Sequence, residues 1–177
     1  MRRWQKATIN DGQTIINNVQ RSRERTMNRA IKLLAAKPRS IAELKERLLE
    51  KLWTNEEIVG AVIEQLKEYK YLDDDQFVCD LAISKLKRKP QGRRKLLHSL
   101  SKKKIDRDKV EGAILKAFKE FPEESLIDLV IEKRLRTTGV PQTSEDTKKL
   151  FDHLLRQGFD LDLIRSRLSD LTGRTKA

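Results

Sequence analysis

The sequence predicts an all-α protein: three tandem three-helix repeats forming an elongated, curved array. Three observations predict it. First, one spacing of apolar residues occurs three times in the 177-residue chain, with internal steps of 4, 5, 5 and 4. The copies are Leu44, Leu48, Trp53, Ile58 and Val62; Leu96, Leu100, Ile105, Val110 and Ile114; and Leu150, Leu154, Phe159, Ile164 and Leu168. They start 52 and then 54 residues apart, and self-similarity at a fixed period marks a repeat architecture. Second, a further apolar helical stretch precedes each copy and ends at a helix breaker. Third, strong helix formers fill the stretches between breaks, and the repeats contain no convincing strand pattern.

Each element follows from local chemistry. A step of 4 keeps two residues on one helical face, so Leu44/Leu48 and Ile58/Val62 each read as a buried stripe. The steps of 5 fall where the chain leaves one helix and enters the next. Thr54, Asp106 and Asp160 follow the middle anchors and are the expected N-caps. Glu57, three residues after Thr54, suggests a capping box, and Ser40 with Glu43 suggests another. The preceding helices are expected over Asn28–Lys37, ended by Pro38; over Gln76–Lys89, ended by Pro90; and over Leu126–Arg136, followed by Gly139 and Pro141. Gly60 and Gly112 occupy matching places inside helices and read as points of close helix packing. The expected organisation is an N-terminal arm or stub over 1–25, poorly ordered or a small hairpin about Asp11-Gly12, then repeats over 26–72, 73–121 and 122–177. Units of this size have little core of their own, so each is expected to lean on its neighbour.

Charge is unevenly placed. The chain carries +12 overall. Residues 1–39 contribute ten Lys/Arg against two acids, and residues 85–109 twelve against two, so the remainder is net acidic. The densest run is Lys85, Lys87, Arg88, Lys89, then Arg93, Arg94, Lys95, then Lys102, Lys103, Lys104. Like charges this dense repel one another, which argues for a polyanionic or acidic partner. With Arg39, Lys45 and Arg47 they form the candidate surface for a protein partner or DNA. Aromatic content is 5% and no aromatic residue interleaves the run, so base stacking is not the expected main mode. Phosphate contact without sequence readout remains open.

Little points to catalysis. Asp73-Asp74-Asp75 project in different directions on a helix and read as capping and dipole residues. His98 and His153 have no ligand neighbour at metal spacing. No phosphate-binding glycine loop or nucleophile elbow occurs. No enzyme activity, metal or other cofactor is therefore expected. Cys79, the single cysteine, lies on an apolar stretch and reads as a buried thiol. No run of apolar residues is long enough for a transmembrane helix, and a monomeric cytoplasmic protein without a membrane partner is expected.

Three strings carry a family resemblance. Tyr71-Leu72-Asp73-Asp74-Asp75-Gln76-Phe77 resembles a hydrophobic-Leu-Asp-Asp-x-x-Phe hinge. Ser40-Ile41-Ala42-Glu43-Leu44 through Leu48 resembles Ser-x-x-Glu-Leu-x-x-x-Leu. Gly92 with Leu96, Leu100 and Ile105 resembles Gly-x-x-x-(Ile/Leu)-x-x-x-Leu-x-x-x-x-Ile. Together they resemble the RecX family, bacterial regulators of the RecA recombinase, over roughly residues 26–171. Two positions depart: Leu52 and Lys104 stand where the family often has glycine, which suggests a different turn. The resemblance implies a protein that lies in the groove of the RecA–DNA filament and inhibits RecA ATPase, filament extension and strand exchange. That would modulate recombination, DNA repair and the SOS response. The alternative reading is a sequence-nonspecific nucleic-acid-binding helical module acting through phosphate contacts.

Overall fold

The computed structural model describes residues 7–8, 14–15 and 19–174. Two short strands, β1 (Ala7–Thr8) and β2 (Thr14–Ile15), pair antiparallel with Ala7 opposite Ile15 and Thr8 opposite Thr14. The turn expected at Asp11-Gly12 lies outside the described residues. The rest of the described chain is helical: α1 (Val19–Ala36), α2 (Ile41–Leu49), α3 (Glu56–Glu68), α4 (Asp74–Arg88), α5 (Arg93–Ser101), α6 (Arg107–Glu120), α7 (Glu123–Thr138), α8 (Ser144–Gln157) and α9 (Leu161–Arg174). The chain is all-α in character and divides into two compact units, one ending at Phe77 and one starting at Val78.

In the first unit α1, α2 and α3 pack around Ala30, Leu44, Leu48, Val59, Val62, Ile63, Leu66 and Leu72. Helix α1 begins at Val19, nine residues before the apolar pattern places it. The reason is its buried stripe: Ser22, Thr26 and Ala30 share one face at four-residue steps. These side chains are small and mostly polar, so hydropathy does not mark the face. The Thr26 hydroxyl donates to the Ser22 carbonyl (2.8 Å), which satisfies it within its own helix.

Caps set the unit's corners. The Ser40 hydroxyl accepts from the Glu43 amide (3.2 Å) and the Glu43 carboxylate accepts from the Ser40 amide (3.4 Å), a complete capping box. The cap of α3 is Asn55, whose side chain accepts from the Ile58 amide (2.9 Å). The expected Thr54 cap is thereby corrected: Thr54 is buried and its hydroxyl has no partner among the described residues. The turn runs one residue longer than the apolar spacing implied. The acidic triplet divides its work. Asp73 Oδ1 accepts from the Asp75 (2.8 Å) and Gln76 (3.0 Å) amides and caps α4. Asp74 Oδ1 reaches back to the Ile41 amide (2.9 Å) and satisfies the first amide of α2.

The second unit has one continuous core to which α4 through α9 all contribute, including Val78, Leu86, Leu96, Leu100, Ile114, Ile127, Leu154, Phe159 and Ile164. Cys79 is half-buried against it. Arg167 on α9 donates to Asp128 on α7 (2.8 Å). Asp160 Oδ1 accepts from the Asp162 amide (2.9 Å) at the start of α9, whereas Asp106 stands at the cap of α6 without a side-chain cap bond.

The position before the middle anchor shows how one turn is built in different ways. In the third copy Gly158 is left-handed (φ 87°). In the second, Lys104 takes the same sign of φ (55°), so the left-handed turn that glycine supplies is retained by a lysine. Leu52 in the first copy is not left-handed, so a different turn is present only there. The packing expected at Gly60 and Gly112 is also corrected. A Cβ at either position would meet nothing within 4 Å. The close approach lies between Gly92 and Gly158, where a Cβ on Gly92 would stand 2.2 Å from the Gly158 carbonyl oxygen.

Candidate functional site

The repeat anchors form the scaffold beneath the charged surface. Leu44, Leu48, Ile58, Val62, Leu96, Leu100, Val110, Ile114, Leu150, Leu154, Phe159, Ile164 and Leu168 are buried. Trp53 and Ile105 are half-buried.

Among the basic candidates, Arg39, Lys45 and Arg47 belong to the first unit. Arg39 is half-buried, and Lys45 and Arg47 are exposed on α2. Arg47 pairs with Glu50 (2.9 Å), an exposed contact of little energetic weight. The other ten lie in the second unit, at the end of α4, the start of α5 and the turn after α5. Lys87 stands 3.5 Å from Glu120 and 5.4 Å from the centre of the Phe121 ring. Arg88, Lys89, Arg93, Arg94 and Lys102 are exposed, and the charge of Arg93 acts on the Glu123 carboxylate. Lys85 and Lys103 are half-buried and Lys104 is exposed.

The contact between Gly92 and Gly158 positions this surface. With no Cβ between them, the first turn of α5 rests on the turn between α8 and α9. The Gly92 amide donates to the Gln157 carbonyl (3.0 Å), and the Arg94 amide to the Gly158 carbonyl (3.2 Å). The Lys95 ammonium donates to Gln157 Oε1 (2.8 Å). From α7, the Glu123 carboxylate accepts from the Arg93 amide (2.9 Å). The opening amides of Gly92, Arg93 and Arg94 thus have acceptors inside the protein, and the Arg93 and Arg94 side chains are exposed.

Electrostatics mark the same region. Partial burial, then the neighbouring Lys89, lowers the Lys95 ammonium below the usual lysine range. Burial raises the Glu123 carboxyl, with Asp160 and Glu124 adding to the shift and the Arg93 amide bond opposing it. His153 on α8 is lowered first by burial and then by Arg134, Arg156, Lys95 and Lys89. Positive charge from the end of α4 and from α5, α7 and α8 therefore converges on one histidine. Arg134 and Arg156 lie outside the basic run; Arg156 is one turn beyond His153 on α8, whereas only the fold brings Arg134, Lys95 and Lys89 to it. Among the described residues no three His, Cys, Asp or Glu side chains are grouped to hold a metal ion, and no helix is long and apolar enough to cross a membrane.

Comparison with known proteins fits this architecture. A family model described as RecX, first three-helix domain, matches residues 27–66. The regulatory protein RecX of Pelodictyon phaeoclathratiforme is 34% identical over 142 residues, covering 80% of this chain and 86% of the relative. That of Chlorobaculum tepidum is 30% identical over 151 residues, covering 85% and 91%. The crystal structure of RecX from Lactobacillus salivarius shares the fold at a TM-score of 0.75 and 19% identity, covering 86% of this chain and 97% of that one. Identity at this level along nearly the whole length of two relatives, joined to the helical succession described above, places the chain in the RecX family.

Proposed function

We propose that this protein is a regulator that binds the RecA–DNA filament in its helical groove and restrains RecA ATPase, filament extension and strand exchange. It would act by binding and not by catalysis, and in the cytoplasm, where such filaments form. The observation that carries the reading is the first turn of α5. Arg93, Arg94 and Lys95 sit where the helix dipole opposes cations, in a turn whose amides are already satisfied by Glu123, Gln157 and Gly158. The helix dipole disfavours cations there, and among the described residues it is offset only by the Lys95–Gln157 bond and by the Glu123 carboxylate beside Arg93. An anionic partner surface would favour them, and the resemblance to the RecX family, regulators of RecA, suggests the class of partner.

The test is RecA ATPase on single-stranded DNA, titrated with this protein at moderate salt. Inhibition at well below one copy per RecA monomer is expected. Tight binding to bare DNA with no such inhibition would replace this reading with the nonspecific nucleic-acid module.

A further inference from the structure

The first unit contains a second cationic feature that the charge run does not reveal. Arg25, Asn28, Arg29, Lys32 and Leu33 of α1 line a cleft of about 310 Å³ together with Trp53 from the turn between α2 and α3. The Arg25 guanidinium lies 4.4 Å from the centre of the Trp53 ring, and the Lys51 ammonium 5.9 Å. The indole thus holds cations at the cleft's edge, as ring faces do. Among the described residues Arg25, Arg29 and Lys32 have no carboxylate partner. Arg29 Nε and Trp53 Nε1 are both buried and find no acceptor among the described residues, which is costly for N–H groups out of water.

We propose that this cleft binds the phosphate backbone of a nucleic-acid strand. A phosphate offers acceptor oxygens to the cationic groups that line the open cleft, and guanidinium forks match its geometry. Arg25, Arg29 and Lys32 recur at steps of 4 and 3 along α1, about 6 Å and then about 4.5 Å of axial rise. A row of cations at short, regular intervals suits a linear polyanion better than the scattered carboxylates of a folded protein. The indole face is engaged by Arg25, so the contact is with backbone and carries no base preference. The inference goes beyond the function proposed above: it places a nucleic-acid contact on the first unit and does not require the recombinase.

The experiment therefore omits RecA. Fluorescence anisotropy of a labelled oligodeoxythymidylate reports affinity across a salt series for the full chain and for Arg29→Gln/Lys32→Gln. The substitutions should weaken binding at least fivefold and lower the magnitude of the log K against log salt slope by about 1.4, the value for two single-strand phosphate contacts. An affinity within twofold and an unchanged slope would overturn the proposal. A second measurement leaves the cleft intact. In a Trp4→Phe background, which leaves Trp53 as the sole tryptophan, the oligonucleotide should change the emission and polyglutamate of equal charge should not. No change with the oligonucleotide, or the same change with polyglutamate, would overturn it, the latter by making the cleft a contact for acidic protein. Failure here leaves the ATPase test of the filament reading untouched.

Discussion

Replacing Gly92 by alanine tests how the second unit holds its basic surface. The new Cβ would stand 2.2 Å from the Gly158 carbonyl oxygen and 2.3 Å from the Phe159 amide nitrogen, where ordinary contact begins at 3.4 Å. The obstructing atoms are backbone, so the first turn of α5 must withdraw by roughly 1 Å. That movement breaks the Gly92–Gln157 and Arg94–Gly158 bonds, 3.0 and 3.2 Å long. Two backbone bonds at about 1 kcal/mol each and overpacking at about 1–3 kcal/mol together predict a loss of about 3–5 kcal/mol. Gly112→Ala in the same unit is the internal control. It meets nothing within 4 Å and should stabilise by about 0.5–1 kcal/mol, the difference between glycine and alanine inside a helix. Urea unfolding followed by circular dichroism compares the two. A Gly92→Ala variant within about 0.5 kcal/mol of wild type, the range of substitutions that disturb no packed contact, would refute the docking of α5 on the α8–α9 turn.

Further outcomes follow from the caps and the charges. Asp74→Ala removes the acceptor of the Ile41 amide and should cost the first unit about 1 kcal/mol, read by urea unfolding; an unchanged midpoint would contradict the link between the starts of α4 and α2. Because burial raises the Glu123 carboxyl in the folded state, folding takes up a proton there, so its ionised form weakens the fold at neutral pH and the penalty fades as pH falls through the raised pKa. Glu123→Gln keeps an acceptor for the Arg93 amide, and its stability relative to wild type should be more favourable at pH 7 than at pH 4; equal differences at the two pH values would remove the effect. His153 is lowered by burial and by Arg134, Arg156, Lys95 and Lys89, so an anionic partner covering those cations should raise its pKa, followed through its imidazole proton resonances. An unchanged pKa on addition of the partner would place the contact elsewhere.

Much of the architecture is legible in the sequence because large aliphatic residues recur at helical spacing and proline or glycine ends the runs. Where burial uses small polar residues, the pattern fails: the stripe Ser22, Thr26 and Ala30 hides the first two turns of α1. Cap identity fails where two adjacent residues can both accept, as Thr54 and Asn55 do, because turn geometry chooses between them. At Lys104 sequence misleads in another way, since a lysine holds a left-handed conformation that composition assigns to glycine. The charged site is only partly legible. A run such as Arg93-Arg94-Lys95 is visible by itself, but Arg134 and Lys95 near His153, and Trp53 beneath Arg25, meet only through tertiary packing. No local spacing encodes those meetings.

The central claim, that the basic first turn of α5 serves the filament partner, is tested most directly by RecA ATPase titrated in parallel with wild type and with Arg93→Glu/Arg94→Glu. Acids in the first turn suit the helix dipole, so helicity should be kept while inhibition is lost. Inhibition equal to wild type by the variant would contradict the account.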